Sequence, residues 1–334
     1  MASRLPQVYL RGEVDRGSGD ALIRSREWVR YRRGALGLAP EGEPWERERE
    51  RALGHAVAAS RQIGGAVISD VCAALAHGLD VWRAPRIPSL ILPRNPRSGL
   101  PRDVQRRTSR LDPGDVIELD GVLVTGLPRT LVDCACSLHP RDALVVVDSG
   151  MRRAVRPERR EPRQEVEARA ADLRAELLSR IAPGTRGAVQ ARAVIEAADP
   201  LAEIAPESVM RWIALSRGMP RPMLQREVTT SRGTFYTDMA WRFAIDGRPL
   251  WYHVEFDGSG KYLDNPEGRS TQRVLLDERK RESSITATGD KVLRIYSDEI
   301  GREDHVFSRI TGPISRALAA GYRRVPALYR PPGL

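Results

Sequence analysis

The sequence predicts two domains, an α+β N-terminal region and a C-terminal α/β domain with a central mixed sheet of about four strands flanked by helices. The chain has 334 residues, a length typical of two ordinary domains. Its 41% hydrophobic and 29% charged residues are values of folded globular proteins. From residue 206 onward, the hydrophobic pattern follows the order helix, three strands, helix, strand, helix, which is typical of a small layered α/β fold.

The N-terminal region, residues 1–155, is predicted to combine short strands and helices. Trp28–Gly34 and Val116–Thr125 have the pattern of strands closed by glycine turns, and Ser89–Leu92 that of a single strand. Glu43–Ile63 has a proline near its start and the Glu/Arg spacing of a charged helix. Shorter helices are predicted at 66–78, 128–135 and 142–151.

The rest of the chain is predicted to be a helical linker, residues 156–199, followed by the C-terminal domain, residues 200–325. The linker has helical patterns at 164–181 and 188–198. In the C-terminal domain, strands are predicted at 225–230, 235–243, 250–257 and 291–296, with a hairpin turn at Asp246–Gly247. Helices are predicted at 207–217, 268–287 and 304–320.

The formal net charge is +10, and almost all of the basic residues are arginines. A positive chain favours a polyanionic partner, because Lys and Arg side chains release the counterions of phosphates when they bind. A high-GC genome, which enriches arginine codons, explains the same composition without any partner. The three lysines, Lys261, Lys280 and Lys291, all lie in the C-terminal domain, where a compact ammonium group can have a specific role.

Cysteine usage and hydropathy predict a cytoplasmic protein. The three cysteines, Cys72, Cys134 and Cys136, are an odd number without framework spacing, so they favour buried structural thiols over disulfides. No apolar stretch reaches the roughly 18 residues that a membrane helix needs, and the chain opens without a signal-peptide pattern.

Three acidic residues of the C-terminal domain are candidate metal ligands. Asp238 lies within an otherwise apolar strand, and Glu255 and Asp257, two residues apart, leave the same face of the next strand. If the strands pair around their hairpin, the carboxylates converge and repel one another. A divalent cation would relieve that repulsion, and Mg²⁺, with Mn²⁺ as an alternative, prefers oxygen ligands. For Glu-x-Asp alone, a solvated strand face is the simpler explanation.

Several segments of the C-terminal domain occur in the order of a known nuclease family. They are Ala205–Arg211, Asp238, Val254–Gly258, Asp277–Arg281 and Gly289–Ile295. With them, residues 203–300 resemble a very-short-patch-repair-type endonuclease-like domain of the PD-(D/E)XK superfamily. The resemblance implies a restriction-endonuclease-like fold and Mg²⁺-dependent hydrolysis of phosphodiester bonds. It implies metal binding by Asp238, Glu255 and Asp257, and an accessory acidic role for Glu207.

The family pattern has a lysine two residues after the acidic residue, where this chain has Asp257. Lys261 is the first candidate to replace it, because Gly258 and Gly260 would let the chain fold back. Lys280 is the second candidate. Lys280 and Arg281, on the predicted helix, are also candidates for nucleic-acid binding.

Three stretches of the N-terminal region, Trp28–Gly34, Val67–Gly78 and Val122–Asp133, are similar to AbiEi-type antitoxin-like modules. The resemblance implies a winged-helix-like remnant with shortened leading helices, and a link to toxin–antitoxin systems. Arg30, Arg32 and Arg33, in the basic wing, are then candidates for contacts with phosphates.

Three functions remain open from the sequence. The first is a metal-dependent endonuclease that hydrolyses DNA in genome defence or repair, with catalytic residues Asp238, Glu255, Asp257, Lys261 and Glu207. The second is a catalytically inactive, antitoxin-like, DNA-binding transcriptional regulator, which the missing lysine favours. The third is a protein-interaction module whose charge reflects codon bias. Carboxylates paired with arginine side chains would argue against the endonuclease.

Overall fold

The computed structural model describes residues 5–14, 24–92, 102–245, 248–258, 280–281, 283–314 and 316–330, which form a mixed α/β protein with several sheets. The chain divides into two compact units. The first contains residues 1–138 and 171–195, and the second contains residues 139–170 and 196–334. The division therefore runs through the predicted linker, and it places residues 139–155 with the C-terminal domain.

The first unit contains two sheets. The three-stranded sheet consists of β1 (Val8–Leu10), β2 (Trp28–Arg32) and β3 (Ala35–Leu38), in the order β1-β3-β2. The five-stranded sheet consists of β4 (Val67–Ile68), β5 (Ser89–Ile91), β6 (Gln105–Arg107), β7 (Val116–Leu119) and β8 (Val122–Thr125), in the order β6-β5-β4-β8-β7. Both predicted turns close hairpins, and Gly34, Asp120 and Gly121 have the positive φ angles that such tight turns require.

Helix α1 (Pro44–Gln62) packs on strands of both sheets, and α2 (Asp70–Ala76) packs on α3 (Leu127–Ser137). Gly54 of α1 lies so close to Tyr31 of β2 that an added Cβ would clash with the ring. The predicted helix at 66–78 begins only at Asp70, because Val67 and Ile68 pair as a strand with β5 and β8. Cys72 and Cys134 are buried and Cys136 is half-buried, all as free thiols.

The second unit is built around a four-stranded mixed sheet. Its elements, together with two helices that cross the division between the units, are α4 (Pro140–Val155), α5 (Arg163–Ser179), α6 (Ala188–Ala197), α7 (Ala205–Ser216), β9 (Met223–Thr230), β10 (Gly233–Ile245), β11 (Arg248–Asp257), β12 (Lys291–Tyr296), α8 (Glu303–Thr311) and α9 (Arg316–Ala319). The sheet order is β12-β11-β10-β9, with β12 parallel to β11 and the other pairs antiparallel. This confirms the predicted mixed sheet.

Two predicted helices of the C-terminal domain differ from the structure or lie largely outside it. Of the helix predicted at 268–287, the structure describes residues 280–281 and 283–286, which are helical. The predicted closing helix 304–320 is two helices, α8 and α9, because Pro313 cannot donate the backbone hydrogen bond that would continue the first. Asp246–Gly247 lies outside the described residues. No helix in the described ranges is both long and apolar enough to cross a membrane.

A buried ion pair joins α4 to α7. The Nη2 of Arg211 donates to both carboxylate oxygens of Asp148, and its Nη1 donates to the carbonyl oxygen of Ala197. The two side chains are 0% and 1% exposed. Asp148 also accepts a hydrogen bond from the amide of Asp199. Such buried charges are tolerated because each one is compensated by the other.

Replacing Arg211 by Met is expected to lower the free energy of unfolding by about 3–5 kcal/mol, because Asp148 would stay buried without a counter-charge. Urea denaturation of the variant and the wild type measures the difference. The double variant Arg211→Met/Asp148→Leu removes both charges and should recover much of the loss. An equal loss in the double variant would attribute the effect to packing rather than to charge.

Candidate functional site

Asp238 lies on β10 beside the strand that carries the other two predicted acids. Its Oδ2 accepts a hydrogen bond from the amide of Phe256 at 2.7 Å. The regular pairing of β10 with β11 runs from Ile245 opposite Arg248 to Met239 opposite Val254. Phe256 stands between Glu255 and Asp257, so the bond places the Asp238 carboxylate beside β11 at the level of both acids.

Glu255 and Asp257 are buried, and both are paired with arginines. The Nη2 of Arg281 lies 2.8 Å from Oε1 of Glu255, and the Nη2 of Arg294 lies 3.9 Å from Oε2. The Nη1 of Arg294 lies 3.3 Å from Oδ2 of Asp257. Two guanidinium groups therefore offset the repulsion between the two carboxylates on the same strand.

Strand pairing brings Arg294 next to Glu255 and Asp257. In the parallel pairing of β11 with β12, Glu255 lies opposite Arg294. Arg294 is absent from the predicted site residues. The signal that could have identified it is a lone arginine between Leu293 and Ile295, on a strand that neighbours the acidic one.

Arg281 is held from two strands at once. Its Nη2 donates to the carbonyl oxygen of Tyr236 on β10 as well as to Glu255 on β11, and its guanidinium lies 5.8 Å from the ring centre of Phe235. These contacts fix the guanidinium of Arg281 beside Glu255, and the side chain remains 33% exposed. Lys280, its neighbour, is exposed, and Lys261 lies outside the described residues.

Glu207, in the first turn of α7, is buried and lies near Asp238. Its Oε2 accepts a hydrogen bond from the amide of Glu203 at 2.8 Å. Burial raises the pKa of Glu207 to about 8, and the negative charge of Asp238 adds to the rise. Glu207 therefore holds its proton near neutral pH, although a helix N-terminus by itself favours the ionised carboxylate.

A divalent cation does not fit these residues as they are arranged. Within the described ranges, no group of three or more His, Cys, Asp or Glu side chains could hold a metal ion. Oδ1 of Asp257 is buried without a hydrogen-bond partner among the described atoms, so it is a possible oxygen ligand. Both oxygens of Glu255, however, face guanidinium groups. A cation bound here would therefore have to compete with arginine side chains for the oxygens of Glu255.

An open cleft of about 1040 Å³ lies near Glu207 and Asp238, although neither side chain is among its described lining residues. Tyr236, two residues before Asp238, and Glu203, whose amide binds Glu207, both line it. Its charged lining residues are four arginines and four glutamates, namely Arg152, Arg159, Arg160, Arg163, Glu158, Glu161, Glu203 and Glu227. The charges of the described lining residues therefore balance, in contrast to a surface of uniform positive charge that attracts polyanions.

His253, on β11, belongs to a buried hydrogen-bond network. It is fully buried, with Nδ1 2.8 Å from Oγ1 of Thr237 and Nε2 3.3 Å from Oδ2 of Asp290. Burial lowers the pKa of His253, which favours the neutral ring. His77 of the first unit is also buried, with Nε2 2.8 Å from the carbonyl oxygen of Thr125.

The three predicted phosphate-binding arginines of the first unit have different environments. Nε and Nη2 of Arg32 donate to the carboxylate of Asp103 at 2.8 and 3.1 Å, and its Nη1 donates to Oε1 of Gln62 at 2.9 Å. The Arg32 side chain is only 7% exposed. It therefore stabilises the unit internally, whereas Arg30 and Arg33 are exposed.

Comparisons with known proteins give distant matches. No protein-family model matches the chain. The uncharacterized proteins Rv2248 and MT2308 of Mycobacterium tuberculosis, from strains H37Rv and CDC 1551, are each 27% identical over 208 residues. The match spans 61% of this chain and 66% of the relatives' length. The crystal structure of the RV2827C protein from the same species matches with a TM-score of 0.29 and 18% identity, over 57% of this chain and 71% of that chain.

Replacing Glu207 by Gln is expected to change how stability depends on pH. The pKa of Glu207 is about 8 in the folded protein against 4.5 ordinarily, so the folded state binds the proton more tightly. Wild-type stability therefore falls as the pH rises between these two values. Gln cannot ionise, so the variant should avoid a loss of roughly 2–4 kcal/mol between about pH 5 and pH 9.

Urea denaturation across this pH range measures the effect. Glu176→Gln is the control, because that side chain is 46% exposed and pairs with Arg180 at the surface. Identical pH profiles for the wild type and Glu207→Gln would contradict the raised pKa.

Proposed function

We propose that this chain is a DNA-binding protein whose C-terminal domain keeps the arrangement of a PD-(D/E)XK nuclease but does not cut DNA. One observation carries the proposal. Glu255 and Asp257, the acids of the nuclease motif, are paired with Arg281 and Arg294. In this view, the protein's own guanidinium groups take the place of the catalytic cation.

The order of the elements supports the nuclease-type fold. Helix α7 carries Glu207, β10 carries Asp238, and β11 carries Glu255 and Asp257. Helical residues 280–281 and 283–286 and the parallel strand β12 follow, in the order that the resemblance to very-short-patch-repair-type domains implies. The acidic residues on these elements support the proposed nuclease-type arrangement, and Asp257 at the lysine position supports the proposed loss of cleavage.

Energetics support the absence of cleavage. A metal ion would have to displace guanidinium groups from buried carboxylates and leave those arginine side chains without their acidic partners. Mg²⁺ also gives up its water ligands reluctantly. Without a bound cation, neither a water molecule nor the scissile phosphate would be activated in the way that metal-dependent nucleases require.

The charge of the chain supports binding to DNA. The net charge is +10, and Arg30 and Arg33 are exposed at the β2–β3 hairpin, the predicted wing. The cleft beside the carboxylates has balanced charges, so we place the affinity for DNA in the first unit. An antitoxin-like transcriptional regulator is the kind of protein that these properties fit.

The endonuclease is the second candidate, and two observations favour it. Oδ1 of Asp257 is buried without a hydrogen-bond partner among the described atoms, and Glu207 and Asp238 place two acidic groups close together. An acid whose pKa is raised by burial and by a neighbouring carboxylate, as that of Glu207 is, is frequent at functional sites.

A plasmid-nicking assay with Mg²⁺ or Mn²⁺ separates the two candidates. The wild type is expected to nick supercoiled DNA no faster than Asp238→Asn and Glu255→Gln, because the carboxylates lack a cation. It should still bind duplex DNA, with an affinity that falls steeply as salt rises. Metal-dependent nicking that both substitutions abolish would establish the endonuclease instead.

Removing an arginine tests the role of the guanidinium groups directly. Arg294→Met leaves Asp257 without its counter-charge, so the variant should bind Mn²⁺ more tightly than the wild type, as isothermal titration calorimetry would measure. Arg242→Met, at an exposed position on β10, is the control. A folded Arg294→Met protein with wild-type affinity for Mn²⁺ would show that Arg294 does not stand in for a cation.

A further inference from the structure

A second groove, in the first unit, has a lining quite unlike that of the cleft beside the carboxylates. It lies between β2, α1 and the segment 82–86, and its volume is about 560 Å³. The charged or aromatic residues that line it are Arg30, Arg49, Arg51, Arg83, Arg86, Glu48, Tyr31, Trp45 and Trp82, and His55 lines it as well. Five arginines against one glutamate give this groove a strong positive charge.

Four of these arginines are available to a ligand. Arg30, Arg51, Arg83 and Arg86 are exposed, and none of them makes an ion pair with a carboxylate in the described ranges. The fifth, Arg49, is half-buried, donates to the carbonyl oxygen of Val81 and lies 3.8 Å from Asp80. The structure therefore uses Arg49 to hold the wall of the groove and leaves the other four facing solvent.

Two tryptophans stand among these arginines. Trp45 is 52% exposed, with the guanidinium of Arg49 at 4.6 Å from its ring centre, and Trp82 is half-buried. The chain has only 6 tryptophans, so this pair in one groove is a concentrated aromatic surface. Phosphates alone would need only the arginines. Flat rings beside them add surfaces on which unpaired bases can stack.

We propose that this groove binds single-stranded nucleic acid, with bases stacked on Trp45 and Trp82 and phosphates bound by Arg30, Arg51, Arg83 and Arg86. The inference rests on the proposed function, which it deepens by naming the site and the form of the ligand. In a duplex, the faces of the bases are already stacked on one another, so a duplex could use the arginines but not the tryptophans.

Fluorescence anisotropy with labelled oligonucleotides tests the proposal on the full chain. The probes are oligo(dT) and oligo(U) of about 12 nucleotides, a length within the range of known single-strand sites, and a duplex of equal length. A single strand is expected to bind more tightly than the duplex. The tighter of the two single strands identifies DNA or RNA as the ligand.

Two variants separate the contributions of charge and stacking. Arg83→Gln/Arg86→Gln should lower the slope of log Kd against log salt by about 1.4, from about 2.8 for four bound phosphates. Trp45→Leu/Trp82→Leu should weaken single-strand binding about tenfold or more and leave duplex binding nearly unchanged. Arg110→Gln/Arg232→Gln, at two exposed positions outside the groove, removes the same charge and serves as the control.

The outcomes distinguish this inference from the proposed function. Duplex binding at least as tight as single-strand binding, or equal losses in the groove and control variants, would overturn the groove proposal and leave DNA binding intact. Absence of binding to every probe at low salt would overturn both. If the tryptophan variant does not fold, the surface variant Arg83→Gln/Arg86→Gln still decides the outcome.

Discussion

Two buried carboxylates on one strand cannot both remain ionised unless positive charge lies beside them. In this protein, the parallel pairing of β12 with β11 supplies that charge, because it sets Arg294 opposite Glu255 and within reach of Asp257. Arg281 completes the arrangement from the helical residues that precede β12. The position of β12 next to β11 therefore also supplies the positive charge that the acidic motif on β11 requires.

The two units differ in how their charges are arranged. In the second unit, Glu255 and Asp257 are paired with Arg281 and Arg294, and the described residues that line the cleft include four arginines and four glutamates. In the first unit, the arginines that line the groove are largely unmatched. The net charge of +10 is shared almost evenly between the two units, so the difference lies in the local pairing of the charges and not in their total. The balance of acidic and basic residues around each groove therefore predicts where a polyanion binds better than the net charge of the chain does.

The sequence predicted those elements whose signals are local. The strand at 291–296, the hairpin around Asp120–Gly121 and the charged helix after Glu43 all have their causes within a few residues. The strand β4 was missed because its two residues, Val67 and Ile68, become a strand only through β5 and β8. No local pattern marks such a pairing.

The candidate site shows the same limit. The positions of Asp238, Glu255 and Asp257 on their strands were predictable from alternation, but their partners were not. Arg294 meets Glu255 only through a register between parallel strands, and Arg32 meets Asp103 across 71 residues of sequence. The raised pKa of Glu207 likewise depends on burial, which only the folded domain shows.

The contact between Arg211 and Asp148 bears on how such a domain can be inherited. Helix α4 precedes the stretch that resembles the nuclease family, yet it carries the counter-ion of a residue inside that stretch. A recombination event that replaced the chain before residue 200 would remove Asp148 and leave the Arg211 guanidinium buried without its counter-ion. The segment that must be exchanged as one piece therefore begins at α4, upstream of residues 203–300.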